Sequence, residues 1–293
     1  MPCGVRGPAL IALMGLVFLG STTTHPEVQA RKDLPLADLL SRLSRVAKLY
    51  RDSALRFACD EEITGSALGG KSYRFEYVYA YSPSEGFKDH RIDPTKRSRR
   101  EVDLNAYRLP QFLRRAYSWA FIFSESAQKR HRYEVLGEDR LFERAAFKLR
   151  FEPIPPYQEN LNDWFGTAWI DRDTFQILRV EALRADQYEK KKEFESEIGN
   201  ASTYRLWGRR KNYLIEETST DFSVEKNGMR FPGAVLIVLS RYVIPGRDET
   251  QRYQESTVYR IGQTYTNYQF FTVRTREDIQ GIVSGSTGQG SPK

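Results

Sequence analysis

Hydrophobic and polar positions alternate along much of this chain, and the clearest case is "SYRFEYVYAY", residues 72–81. Period two places Tyr73, Phe75, Tyr77, Tyr79 and Tyr81 on one face of a strand and Arg74, Glu76, Val78 and Ala80 on the other. Upstream the period changes. Leu36, Leu39, Leu40, Leu43, Val46, Ala47, Tyr50, Ala54 and Phe57 follow helical spacing, with Arg42, Arg45, Lys48, Arg51 and Asp52 off the stripe. Asp33 can cap this helix and Pro35 suits its first turn. A helix with one apolar side must bury it, and a sheet is the available partner. A second helix is predicted from near Pro110, where Phe112, Leu113, Ala116, Trp119, Ala120 and Phe123 share a face.

Strand patterns fill the rest. Residues 58–64 and 73–81 flank "GSALGGK"; 87–92 adds a short piece and 102–107 a weaker one. "HRYEVLG" and "LFERAAFKLRFEPI" read as a pair turning at "GEDR". "GTAWIDRDTFQILRVEAL" reads as a hairpin, with Ala168 and Ile170 on one face and Thr167, Trp169 and Asp171 on the other. "DQYEKKKEFESEIGN" fits either a charged helix ending at Gly199 or a polar excursion. Asn227-Gly228 marks a tight hairpin between "YLIEETSTDFSVEK" and "MRFPGAVLIVLSRYVI". "TQRYQESTVYRI" and "TYTNYQFFTV" are predicted as two closing strands. About ten strands joined by short links favour antiparallel neighbours, and twist curls so wide a sheet. The expected fold is mainly β: a single curved antiparallel sheet, a half-open β-barrel, with two or three helices over its concave face.

The first thirty residues change the picture of where the protein works. Arg6, the apolar run "ALIALMGLVFLG" and "VQA" ending at Ala30 have the layout of a cleaved secretory signal. Residues 1–30 are therefore expected to be a signal peptide, 31–275 the folded domain and 276–293, rich in Gly and Ser, a disordered tail. No cysteine follows the apolar run, so the expectation is a periplasmic protein that is not a lipoprotein. Cys59 is then the sole mature cysteine, which excludes a disulfide framework and reads as a buried inert thiol. The formal charge of +7 favours anionic partners such as a membrane surface or acidic envelope proteins.

Candidate chemistry is sparse. His90 and His131 are the only mature histidines, Ser284 and Ser286 do not fit Gly-x-Ser-x-Gly, and metal-ligand spacing is absent. Asp60 and Glu62 share a strand face and are the one carboxylate pair a hydrolase could use. "RLWGRRKNY" and "QKRHRY" mix bases with aromatics, but an exported chain has no nucleic acid to meet. No cofactor, metal or catalytic group is expected. A tyrosine-rich wall suits a cavity, because buried hydroxyls need partners.

Several features together are similar to one known family. The leader followed by an amphipathic helix, "GTAWIDRDTFQILRVEA", "NGMRFPG" and "YTNYQFFTV" resemble the periplasmic lipoprotein carriers of the LolA and LolB type, whose fold recurs in the sigma-factor regulator RseB. The resemblance implies an unclosed barrel with helices over its mouth, holding an acyl chain or a lipoprotein anchor. The expected function is a carrier or binding protein for a lipid, lipoprotein acyl anchor or similar apolar ligand. The alternatives are a protein-interaction or sensor module without lipid cargo and, behind it, a hydrolase. Expected lining residues are Tyr73, Phe75, Tyr77, Tyr79, Trp119, Phe123 and Trp169. Ligand identity and oligomeric state are not legible in the sequence.

Overall fold

The computed structural model describes residues 34–54, 56–82, 86–96, 101–102, 111–157, 163–199, 210–245 and 253–270. The expected signal peptide, most of the weak strand at 102–107 and the Gly/Ser tail lie outside the described residues. Helix α1 (Leu36–Leu49) buries Leu39, Leu43, Val46 and Ala47 of the predicted stripe, leaves Leu36 and Leu40 half-buried, and buries Leu49, which the stripe does not include. It ends in a π-helical turn, Tyr50–Ala54. Phe57 is no part of the helix: it opens strand β1 (Phe57–Gly65), where its ring joins the aromatic interior.

Strand β2 (Tyr73–Ser82) and β3 (Gly86–Ile92) follow. A 3-10 helix, Gln111–Phe121, stands where an α-helix is predicted, and a short α2 (Glu125–Gln128) comes after it, capped by Ser124. Next are β4 (His131–Leu141), β5 (Arg144–Pro153), β6 (Trp164–Asp171) and β7 (Ile177–Arg184). Helix α3 (Ala185–Gly199) settles the ambiguous charged segment. The chain closes with β8 (Lys211–Asp221), the short β9 (Val224–Lys226) and β10 (Met229–Phe231), β11 (Ala234–Ile244) and β12 (Gln254–Phe270).

Ten of these strands form one curved, unclosed antiparallel sheet in the order β3-β2-β1-β12-β11-β8-β7-β6-β5-β4. The fold is thus the expected mainly β half-barrel. β9 and β10 form a separate ribbon turning at Asn227-Gly228, as the sequence predicts.

Two sequence expectations fail for local reasons. "GEDR" is not a turn: β4 runs through it, absorbing Leu136 as a bulge beside Gly137, whose φ is 136°. The turn falls at Phe142 and Glu143, both at positive φ. The two closing strands are one strand of 17 residues, because Gly262 and Gln263 pair without a break to Leu236 and Val235.

Register defines two faces. On the inner face Phe57 pairs with Tyr79, Cys59 with Tyr77, and Glu61 with both Phe75 and Tyr265. Farther along the sheet Val235, Thr220, Val180, Ala168 and Leu149 continue this face. The 3-10 helix lies on it, with Tyr117 beside Phe57 and Trp119 bonded to Thr220. Gln128 of α2 donates to Leu40 O of α1 at 2.8 Å, tying the cover together. Helix α3 lies on the outer face, where Phe194 packs against Tyr213, Ile215 and Ile244. That burial explains why so polar a segment is helical.

Candidate functional site

Five of the seven predicted lining residues gather on the inner face as buried side chains: Phe75, Tyr77, Tyr79, Trp119 and Phe123. Tyr73 is half-buried and stacks on Phe75 at 6.4 Å between ring centroids. Trp169 does not join them. It sits opposite Lys148 and Arg179 on the outer face, beneath the Lys148 ammonium, and its indole donates to Asp139 at 2.9 Å.

Tyr117, which was absent from the sequence list, is the hub of the inner wall. Its ring lies 4.7 Å from Phe57, 5.1 Å from Tyr79, 5.4 Å from Tyr77 and 5.5 Å from Tyr265. Each such aromatic pair is worth about 0.5–1.5 kcal/mol beyond the area it buries. Helical spacing leaves it at the margin of the predicted face, i+4 from Leu113 and i−3 from Ala120; in the 3-10 helix it falls in one row with Ala120.

Beyond the hub, Trp119 meets Trp164 edge-on at 5.2 Å and donates to Thr220 at 3.1 Å. Phe123 packs against Tyr133, whose hydroxyl donates to Ile122 O at 2.6 Å. Gly166 is required here: a Cβ on it would meet the Phe151 ring at 2.5 Å and Glu181 O at 2.4 Å.

The buried hydroxyls form a chain with a fixed direction. Tyr268 donates to Pro232 O, which only accepts. Its oxygen therefore accepts from Tyr117 Oη at 2.7 Å, leaving Tyr117 to accept from the Cys59 thiol at 3.6 Å. Burial pushes the Cys59 thiol up to about 12. A thiol so held carries almost no thiolate at neutral pH and makes a poor nucleophile.

A second polar cluster lies beside the tyrosines. The Arg91 guanidinium donates to both oxygens of Glu61, one at 2.8 Å, and to Asp89 at 3.0 Å. It also lies 4.7 Å over the Tyr77 ring, and Gln263 Nε2 donates to Glu61 at 2.8 Å. Arg91 and Glu61 are 2 % and 1 % exposed; without Arg91 the Glu61 carboxylate would lose its counter-charge and keep the Gln263 amide, whereas Arg91 without Glu61 would keep Asp89. Nothing in "CDEEI" distinguishes Glu61 as the buried carboxylate except its parity with Cys59 and Ile63.

The flanking pair Asp60 and Glu62 shares the outer face, as expected. Asp60 accepts from Asn267 at 2.6 Å and Glu62 from Arg74 at 3.2 Å, both at the exposed surface. His90 meets Glu101 at 3.1 Å on the edge strand. His131 is buried; its Nδ1 donates to Ala127 O at 2.9 Å and its Nε2 has no hydrogen-bond partner among the described residues. Burial lowers its pKa. Among the described residues no three His, Cys, Asp or Glu side chains are placed to hold a metal ion, and no helix is long and apolar enough to cross a membrane.

No family model and no curated protein matches this sequence. Solved structures do. One is a Vibrio parahaemolyticus domain described as an outer membrane lipoprotein-sorting protein, at 11% identity and TM-score 0.42, covering 83% of this chain and 97% of that one. Another is a LolA superfamily protein from Nitrosomonas europaea, at 9% and 0.37, covering 83% and 96%. A chain of the Pseudomonas aeruginosa MucA/MucB complex matches at 10% and 0.24, covering 80% and 100%. This chain is similar to these proteins in the general arrangement of its elements.

Proposed function

We propose that the protein is an exported, non-catalytic carrier that holds an apolar chain between the inner face of its sheet and its helical cover. The observation that carries this reading is the contact layer itself. Tyr117 and Trp119 enter the aromatic interior from a 3-10 helix of eleven residues, whereas runs beyond three or four are uncommon. Such a segment has poor hydrogen-bond geometry and is held by the rings beneath it. An acyl chain that entered between the cover and the sheet would meet Tyr73, Phe75, Tyr77 and Tyr79 on one side and Trp119 and Phe123 on the other. Trp169, on the other face, would not touch it.

The energy is adequate. Each buried methylene contributes about 0.8 kcal/mol, so a chain of about fourteen carbons offers on the order of 10 kcal/mol gross. Lost motion and displaced ring contacts return several of these, leaving micromolar binding. No catalytic group is needed.

The test is native mass spectrometry of delipidated protein mixed with a fatty acid, a phospholipid and a diacylated lipopeptide, with tryptophan emission followed in parallel. A bound acyl species together with an emission shift that Trp119→Phe abolishes is the expected result. Failure to bind any of the three ends the carrier reading and leaves a protein-binding module in its place.

A further inference from the structure

An open concavity lies on the sheet face opposite the aromatic one. It is a trough of about 770 Å³ on the outer face, beside α3. Its floor takes residues from β5, β6, β7, β8, β11 and β12, six strands that are consecutive neighbours in the sheet. Five inter-strand steps of about 4.8 Å make it roughly 24 Å long, the length of about seven extended residues.

The trough is acidic in a basic protein. Glu152, Glu181, Glu217 and Glu255 line it against two cations, Arg150 and Lys191. Both cations are engaged: Arg150 with Glu134 at 2.9 Å and Lys191 with Glu217 at 2.5 Å. Among the described residues no Lys or Arg nitrogen lies within 4 Å of Glu152 or Glu255, at the two ends, and Glu181 has one at 3.9 Å. The carboxylates are thus distributed along the whole length, on β5, β7, β8 and β12, rather than clustered at one spot.

Between them the lining changes character. Thr167, Ser219, Ser240 and Thr257 supply hydroxyls that both donate and accept, and Leu236 and Val238 supply an apolar stretch. One end is walled by Tyr188 of α3, stacked on Phe165 at 3.7 Å with the rings parallel within 1°. A linear polyamine would use the carboxylates but leave most hydroxyls idle. An extended peptide uses both, since its backbone needs donors and acceptors at every step.

We propose that this trough is a docking site for an extended, lysine- or arginine-rich peptide segment of a partner protein. The site is separate from the inner face and does not depend on what that face holds. Its chemistry selects charge and extension rather than a particular sequence.

The test uses the full chain and fluorescein-labelled octapeptides alternating Lys with Ser, or Glu with Ser, followed by anisotropy. The basic peptide is expected to bind and to weaken as salt is raised, because exposed charge pairs are screened. The exposed or half-exposed carboxylates allow a mild variant, Glu152→Gln/Glu181→Gln/Glu255→Gln, expected to bind the basic peptide about ten-fold more weakly. Equal binding of the acidic peptide, or an unchanged affinity in the triple variant, overturns the proposal. Displacement by spermine at a concentration equal to the peptide's own Kd overturns the peptide assignment in favour of a small polyamine.

Discussion

The Tyr117 hydroxyl donates to the Tyr268 hydroxyl at 2.7 Å, and this bond joins the helical cover to the last strand of the sheet. Its two members come from residues 151 positions apart. Tyr117→Phe keeps the ring contacts and removes two buried bonds, the one to Tyr268, which retains Pro232 O as its acceptor, and the weaker one from the Cys59 thiol. The expected loss is about 1 kcal/mol. Tyr117→Ala removes the hub and is expected to cost about 3–5 kcal/mol. Urea denaturation of both variants measures the difference; equal losses would show that the rings contribute nothing.

The buried Arg91–Glu61 pair makes a second prediction. Arg91→Met strands Glu61 in the interior and is expected to cost about 3–5 kcal/mol. Glu61→Met/Arg91→Met removes both charges and is expected to cost less than Arg91→Met alone. A double-mutant cycle by chemical denaturation checks this. Simple addition of the two single losses would mean the charges do not sense each other.

Acid stability should depend on His131. Burial depresses its pKa below the ordinary 6.5, so the unfolded chain binds the extra proton first. The stabilisation is complete above pH 6.5 and is lost as pH falls through the depressed value. His131→Gln, which keeps a donor for Ala127 O, is expected to flatten the Tm profile below pH 6.5. An unchanged profile would remove His131 from the account.

Alkaline stability should depend on Cys59 in the opposite sense. Its folded pKa of about 12 exceeds the ordinary 9.0, so its contribution is present below pH 9 and lost as pH rises toward 12. Tyr77, Tyr117, Tyr265 and Tyr268 are raised by burial as well and add to the fall above pH 10. Cys59→Ala is expected to reduce the slope between pH 9 and 10. The native thiol should also react with a disulfide reagent at pH 8 only at the rate of unfolding.

Residues governed by local periodicity were readable in advance. The stripe from Tyr73 to Tyr79, the α1 face and the Asn227-Gly228 turn depend on spacing or on one dipeptide, and they stand where the chain places them. Contacts set by sheet order were not readable. Glu61 meets Arg91 because β3 and β1 flank β2, and Glu61 meets Gln263 because β12 returns beside β1. The Leu136 bulge misled for a related reason: "GEDR" has turn composition, but the partner strand β5 is long enough to hold it extended. Trp169 was assigned the right strand, and its own parity already set it apart from Ala168; only the sheet shows that Ala168 faces the tyrosines.

β12 pairs with β11 over residues 254–264 and with β1 over residues 261–270, so that residue 57 lies across from residue 270. A ribosome delivers residue 270 long after residue 57. Until then β1 has only β2 beside it, and the aromatic wall has no floor on its other side. Nascent chains of this protein must wait with their stickiest surface bare, and assembly of the two halves becomes a single late event. A chain ending before Ile261 would lose every partner that β1 has on β12 and leave β1, β2 and β3 as a loose flap while the remaining seven strands stay joined.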